Sequence, residues 1–385
     1  MSWKFYNIHS PPLSAGENFV AALSVKSGAV FIPPEIRQFS FMNGADSKRN
    51  CCKKQGDHGI IKKGGDGMDI SVIGCGRWGS FLAWYLDRLN HRITLYGRAG
   101  SQKMNTLLET RTNGLVTLNK GIVLSENLAE TVGTAEILVV SIGAQSFRSL
   151  MRELSAFSLS GKTIVLCMKG LEAETGRRLT QIVEEYAPKV PCAIWVGPGH
   201  VQNFVRGIPN CMVIDSHSME IKEYLVKAFS SDLIRFYYGT DLLGNEVGAA
   251  AKNVIGIAGG MLDGLNRTAL KGALMSRGTR EIARLIQAMG GNEITAYGLS
   301  HLGDYEATVF SDFSHNRRFG ELFVRGENYG ELAEGVATTT ALLRLGEEYR
   351  VELPICRAVD VVINGKKEPK TVLSDLFLRS LKMEF

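Results

Sequence analysis

An apolar strand, Ile70-Ser71-Val72-Ile73, runs directly into Gly74-Cys75-Gly76-Arg77-Trp78-Gly79, and the helix-forming stretch Ser80-Phe81-Leu82-Ala83-Trp84-Tyr85-Leu86 follows without a gap. No other feature of the chain constrains its fold as tightly. The first glycine permits a sharp turn, the second lets a ligand come close to the backbone, and the third lets the helix pack against the strand. The amino end of the helix then offers free N–H groups and a partial positive charge, which suit a pyrophosphate. A glycine run of this spacing, set between a strand and a helix, predicts a dinucleotide site floored by Gly74, Gly76 and Gly79.

From Met68 onward, short apolar runs alternate with helical stretches, the pattern of a parallel sheet wrapped by helices. The runs lie at 69–74, 92–96, 136–142, 163–168, 192–196, 211–215 and 234–238. Beyond Asp241 this rhythm ends, and 246–262, 272–289, 329–347 and 354–363 read as helices. The expected fold is an α/β N-terminal Rossmann domain with a doubly wound, mostly parallel sheet over 68–243. An all-α C-terminal domain over 244–364 and a tail over 365–385 complete it. Ligands of such open sheets bind beyond the carboxyl ends of the strands, where a second domain can close over them.

Residues 1–67 carry Pro11-Pro12, Pro33-Pro34, a basic cluster at 48–54 and a glycine-rich end, with no sustained periodicity. They read as a disordered extension or a misassigned start, since a chain begun at Met68 keeps every motif. The rival reading is a plastid transit peptide, against which Glu17, Glu35 and the lack of an arginine-rich amphipathic helix speak. A cytoplasmic protein is therefore expected. The extension also holds nine Lys/Arg against five Asp/Glu, leaving 35 against 34 from Met68 onward, so the net charge of +5 does not mark a nucleic-acid surface on the folded part. No apolar run approaches the length of a membrane span. Seven cysteines without C-x-x-C or Cys/His spacing argue for reduced thiols, and no metal is expected.

The residues after the second strand bear on cofactor choice. An acid there would bond the ribose hydroxyls and repel a ribose phosphate, but the chain reads Leu95-Tyr96-Gly97-Arg98 and shows no acid until Glu109. A guanidinium at Arg98 favours NADP(H), with NAD(H) left open. Further on, Lys252 interrupts a segment of small and apolar residues, 247–261. A buried ammonium is costly, so it is expected to point into a polar cavity at the domain join and to protonate a carbonyl oxygen as hydride reaches its carbon. Asn253 would orient the same substrate. Lys169 ends a strand, Asp304 follows Leu302-Gly303, and 314–320 form a basic, hydrogen-bonding stretch suited to a phosphate. Neither His200 nor His315 has the spacing of a metal site or catalytic triad.

In order and spacing these segments resemble the glycerol-3-phosphate dehydrogenases of the bacterial and plastid type, over Met68 to about Asn364. The family's G-x-G-x-W-G turn is matched by Gly74 to Gly79, its T-K-G lysine by Lys169, and its A-L-K-N helix by Ala250-Ala251-Lys252-Asn253. G-L-G-D is matched by Leu302-Gly303-Asp304, S-R-N-R-R-F-G by Ser314 to Gly320, and E-G-V by Glu334-Gly335-Val336. The resemblance implies reversible reduction of dihydroxyacetone phosphate to glycerol 3-phosphate with NAD(P)H, feeding glycerophospholipid synthesis. It makes Lys252 the proton donor and acceptor. It lines the substrate with Lys169, Gly197, Asn253, Asp304, Ser314, His315, Asn316 and Arg317. It sets the cofactor against Arg77, Trp78, Arg98, Lys169, Val201 and Glu334, besides the three glycines.

Two departures stand out. Where the family has S-G-P-[ST]-F-A-K-E, this chain reads Val196-Gly197-Pro198-Gly199-His200-Val201-Gln202-Asn203, and His315 replaces an arginine. Arg317, His200 and Lys169 are the candidates to compensate at the phosphate. A related reductase of another small keto acid or phosphorylated ketone, and a non-catalytic NAD(P)-binding sensor, are the alternatives. The partner is a small molecule, and a homodimer is left open.

Overall fold

The computed structural model describes residues 67–378. The expectation about the amino-terminal extension lies outside the described residues, as does the end of the tail. Eight strands form one sheet: β1 (Asp69–Ile73), β2 (Arg92–Tyr96), β3 (Val123–Ser125), β4 (Ile137–Val140), β5 (Thr163–Leu166), β6 (Cys192–Val196), β7 (Asn210–Ser216) and β8 (Ile234–Tyr238). Their order is β3-β2-β1-β4-β5-β6-β7-β8. Every neighbouring pair is parallel except β6 and β7. Both faces are covered, which is why β4 and β5 are wholly buried and read as unbroken apolar runs. On one face Phe81, Tyr85, Trp195, Phe204 and Phe229 pack together. On the other, Phe147, Met151, Leu154 and Ile182 meet Ala249 from the helical lobe.

Several elements differ from the sequence reading. β3 was not anticipated; it is three residues long with Val123 exposed, so it has no apolar run to betray it. The runs at 136–142 and 163–168 shorten to β4 and β5, and the residues released become crevice-facing loops. The helix expected from Tyr329 starts at Glu334, where the Gly335 N–H donates to Asn316 Oδ1 at 2.9 Å.

The stretch around 314–320 is itself a helix, His315–Val324, capped by Ser314 Oγ accepting from the Arg317 N–H at 3.2 Å. It lies backbone to backbone on the helix Leu242–Gly264. A β-carbon at Gly260 would strike the Arg317 carbonyl, and one at Gly320 would strike the Ile257 carbonyl. Within the expected tail, Pro369–Phe377 is helical, with proline in its first turn and Val372 buried in the core of the helical lobe. Among the described residues no helix is long and apolar enough to cross a membrane.

The antiparallel join of β6 and β7 decides where the long helix starts. β1, β4, β5 and β6 all end at one edge of the sheet, whereas β7 and β8 end at the opposite one. Asp215, near the end of β7, marks that opposite edge: its Oδ2 accepts from the Asp241 N–H at 3.2 Å and from Asn245 Nδ2 at 2.8 Å. Helix Leu242–Gly264 therefore begins there and climbs alongside the sheet. Ten residues of helix rise about 15 Å, close to the length of a five-residue strand. That climb carries Lys252 to the edge at which Gly74, Lys169 and Gly197 emerge.

Candidate active site

The order of strands reverses at β1, which has β2 on one side and β4 on the other, and this opens a crevice at their carboxyl ends. Gly74 takes φ +115°, a conformation open to glycine, and so turns the chain out of β1. A β-carbon at Gly79 would collide with the Gly74 carbonyl, so helix and turn are in direct contact. At Gly76 the situation is reversed: a β-carbon would meet nothing within 4 Å. The turn is thus filled behind Gly74 and Gly79 and open in front of Gly76, which fits a pyrophosphate on the amino end of helix Arg77–Asp87. Trp78 is half-buried against Phe81 at 5.0 Å between ring centroids, and Arg77 is exposed. Beside them lies a cleft of about 640 Å³ lined by Cys75, Arg77, Gln102, Lys103, His315 and Glu331, among others.

Loop ends from the sheet and groups from the helical lobe meet across the crevice. Lys169, just past β5, donates from Nζ to the Gly197 carbonyl and to Asp304 Oδ2, both at 2.6 Å. Asn253 Nδ2 donates to the Lys169 carbonyl at 2.8 Å, which ties the long helix to that loop. Glu334 Oε1 accepts from the Ala144 N–H, in the loop after β4, at 3.2 Å. Burial raises the Glu334 carboxyl above its ordinary range.

Lys252 is 8% exposed. Its Nζ donates to Thr308 Oγ1 at 2.7 Å and lies 3.0 Å from Asp304 Oδ2. Asp304 is fully buried, and its second oxygen, Oδ1, has no hydrogen-bond partner among the described residues. Burial draws the Lys252 ammonium down to about 8; Asp304 opposes that fall and Lys169 adds to it. The group can therefore both give and take a proton near neutral pH.

Along the chain, no acid stands three or four positions from Lys252. The structure supplies Asp304 from fifty-two positions away, which local spacing cannot reveal. Thr308 went unnoticed for a similar reason. It sits in the single π-turn Glu306–Phe310, a geometry frequent at functional sites but without a sequence signature of its own.

The remaining expected residues lie outside the Lys169–Asp304–Lys252 cluster. His315 contacts the Tyr329 hydroxyl through Nδ1 and lies 3.0 Å from Glu331 Oε2, on the side of the glycine turn. Burial and the charges of Arg77 and Lys103 lower its pKa, so it is no substitute for a permanent cation. Arg317 was expected at a phosphate. Its guanidinium is instead taken by Asp263 at 2.7 Å, Asp312 at 2.7 Å, Glu321 at 3.3 Å and the Ser311 carbonyl at 3.0 Å. Those carboxylates leave it no charge to spare. Arg98 is exposed at the end of β2, and Val201 opens the short helix Val201–Val205. An acid does approach the Arg98 loop, from after β3 rather than β2: Glu126 Oε1 accepts from the Gly100 N–H at 3.1 Å.

A glycine turn at a topological switch point, with a buried lysine brought to the same edge of the sheet by a helical second lobe, defines the class of two-lobed nicotinamide-dependent dehydrogenases. Two family models match, the NAD-dependent glycerol-3-phosphate dehydrogenase N-terminus over residues 69–222 and the corresponding C-terminus over 241–374. The protein named glycerol-3-phosphate dehydrogenase [NAD(P)+] of Fusobacterium nucleatum is 35% identical over 333 residues, covering 82% of this chain and 98% of that protein. Its namesake in Moorella thermoacetica is 36% identical over 311 residues, covering 77% and 92%. The solved glycerol-3-phosphate dehydrogenase of Coxiella burnetii shares the fold, with a TM-score of 0.76 at 24% identity over 81% of this chain and 99% of that one. The chain belongs to the NAD-dependent glycerol-3-phosphate dehydrogenase family.

Proposed function

We propose that this protein reduces dihydroxyacetone phosphate to sn-glycerol 3-phosphate, reversibly and with NAD(P)H, and so feeds glycerophospholipid synthesis. The observation that carries the reading is Lys252, a buried ammonium held by Asp304 and Thr308 where the two lobes meet. The cofactor would be held by Gly74, Gly76 and Gly79, with Arg77, Trp78, Val201, Lys169 and Glu334 beside it. When bound, it supplies hydride to the ketone carbon or takes it back. Lys252 delivers a proton to the oxygen of that carbon during reduction and removes it during oxidation. Asp304 and Thr308 hold the ammonium on line, and Lys169 adds a second positive charge where negative charge develops. Gly197, Asn253, Ser314, His315 and Asn316 complete the substrate wall. Arg317 contributes by bracing the helix that bears Ser314 and Asn316.

NADP(H) is the preferred cofactor in this reading, because Arg98 is exposed at the end of β2 where a ribose phosphate would lie. Residues 68–243 serve the cofactor and 244–364 the substrate. The deciding experiment is NADPH oxidation by the full chain with dihydroxyacetone phosphate. Lys252→Ala should still bind NADPH yet lose about 10² to 10⁴ in kcat. A variant that keeps its turnover overturns the role of Lys252.

A further inference from the structure

The turn after β6 departs from the family pattern where it enters the crevice. Gly199 takes φ +147°, and a β-carbon there would run into the Phe204 ring, so the turn has no side chain of its own to offer at that position. The next residue does. His200 immediately precedes the short helix Val201–Val205, and its ring lies edge-on to Phe313 at 5.6 Å between centroids, bridging from the sheet lobe to the helical one. Its Nε2 is buried and has no hydrogen-bond partner among the described residues. Asp304 Oδ1, on the carboxylate that acts on this ring, is likewise buried without a partner among the described residues. A bound ligand that pairs such atoms removes the penalty of burying them unsatisfied.

The charges around the ring narrow what His200 can bind. Lys252, Asp304 and Lys169 all lie close enough to act on it, and burial together with the two ammonium groups pulls its pKa to about 4. A neutral ring beside two ammonium groups is a poor ligand for a phosphate, which those lysines serve better. A lone pair would also repel the oxygen on which negative charge grows. Dihydroxyacetone phosphate has one hydrogen-bond donor left over, the hydroxyl on its unphosphorylated carbon.

Resting on the function proposed above, we propose that His200 Nε2 accepts a hydrogen bond from that terminal hydroxyl and so selects hydroxymethyl ketone phosphates over their deoxy analogues. In this arrangement the ring proton resides on Nδ1, which leaves the Nε2 lone pair, unpartnered among the described residues, to the substrate. The residue thereby supplies at position 200 the polar contact that Gly199 cannot make.

The test compares kcat/KM for dihydroxyacetone phosphate and for acetol phosphate, its deoxy analogue, in the full chain and in His200→Phe and His200→Gln. His200→Phe should lose about 10- to 100-fold on dihydroxyacetone phosphate and stay within about threefold on acetol phosphate. His200→Gln keeps an acceptor and should recover part of the loss. Inhibition by inorganic phosphate should be unchanged in both variants. Equal losses on the two substrates, no loss on either, or weaker inhibition by phosphate overturns the assignment. Failure of the wild-type chain to turn over dihydroxyacetone phosphate would instead overturn the reaction itself. Turnover with an unaltered ratio in His200→Phe overturns the histidine alone.

Discussion

Lys169 and Lys252 converge from opposite lobes on one atom, Asp304 Oδ2, at 2.6 and 3.0 Å. A single carboxylate oxygen therefore fastens the crevice together and opposes the fall in the Lys252 pKa that burial drives.

The first consequence is a mirrored pH dependence. Reduction needs Lys252 charged, so kcat/KM for dihydroxyacetone phosphate should fall as pH rises through about 8. Oxidation of glycerol 3-phosphate needs the neutral amine and should rise across the same interval. Asp304 holds the ammonium up against burial, so Asp304→Asn should move both midpoints to lower pH. Rate profiles in the two directions measure this, and midpoints that stay put would show that Asp304 does not act on Lys252.

The glycine turn separates binding from folding. Gly76 faces open space and Gly79 abuts the Gly74 carbonyl. Gly76→Val should keep its melting temperature and weaken NADPH binding by about tenfold or more. Gly79→Ala should cost about 2 kcal/mol in urea unfolding through overpacking. The reverse pattern would mean that the turn does not approach a ligand.

Cofactor preference should respond to two charges of opposite sign. Arg98→Ala is expected to raise KM for NADPH about tenfold with little effect on NADH. Glu126→Gln removes an acid from the Gly100 N–H and should shift preference modestly toward NADPH. Steady-state kinetics with both cofactors decide it. An Arg98→Ala variant equally impaired with each would end the case for a ribose-phosphate contact.

A carboxyl far from the chemistry governs stability. Glu281 is 2% exposed and accepts from the N–H groups of Ile355 and Cys356 at 2.8 and 3.0 Å, pinning the start of helix Pro354–Ile363. Burial raises its pKa from 4.5 to about 7. A carboxyl whose pKa is higher folded than unfolded contributes most below 4.5, and that contribution is lost as pH climbs through about 7. Glu281→Ala should cost about 2–4 kcal/mol by stranding two buried donors, and should flatten the pH slope over that window. Urea unfolding at about pH 5 and about pH 8 tests both expectations.

What could be read from the sequence followed period and placement. Buried strands such as β4 and β5 are continuous apolar runs, and the glycine turn announces its neighbours on either side, so the sheet lobe was legible almost strand by strand. β3 escaped because a short edge strand with one exposed valine has no period to detect. The site was legible in its lysines, since a charge among small apolar residues is conspicuous. Their pairing was not: Asp304 stood out in its own segment, but its contact with Lys252, like that of Thr308, comes through tertiary structure alone. Arg317 misled for the complementary reason: a basic run looks like an anion site until Asp263 and Glu321 are brought against it.

Because the last two strands turn back across the sheet, Lys252 reaches the chemistry by being counted off along a helix that starts at the far side. Each residue added or removed between Leu242 and Lys252 would swing the ammonium about 100° around the helix axis and shift it about 1.5 Å along it. The length of that interval is therefore under stricter constraint than the identity of most residues within it. A single-residue deletion there should disarm the enzyme more thoroughly than many substitutions in its walls.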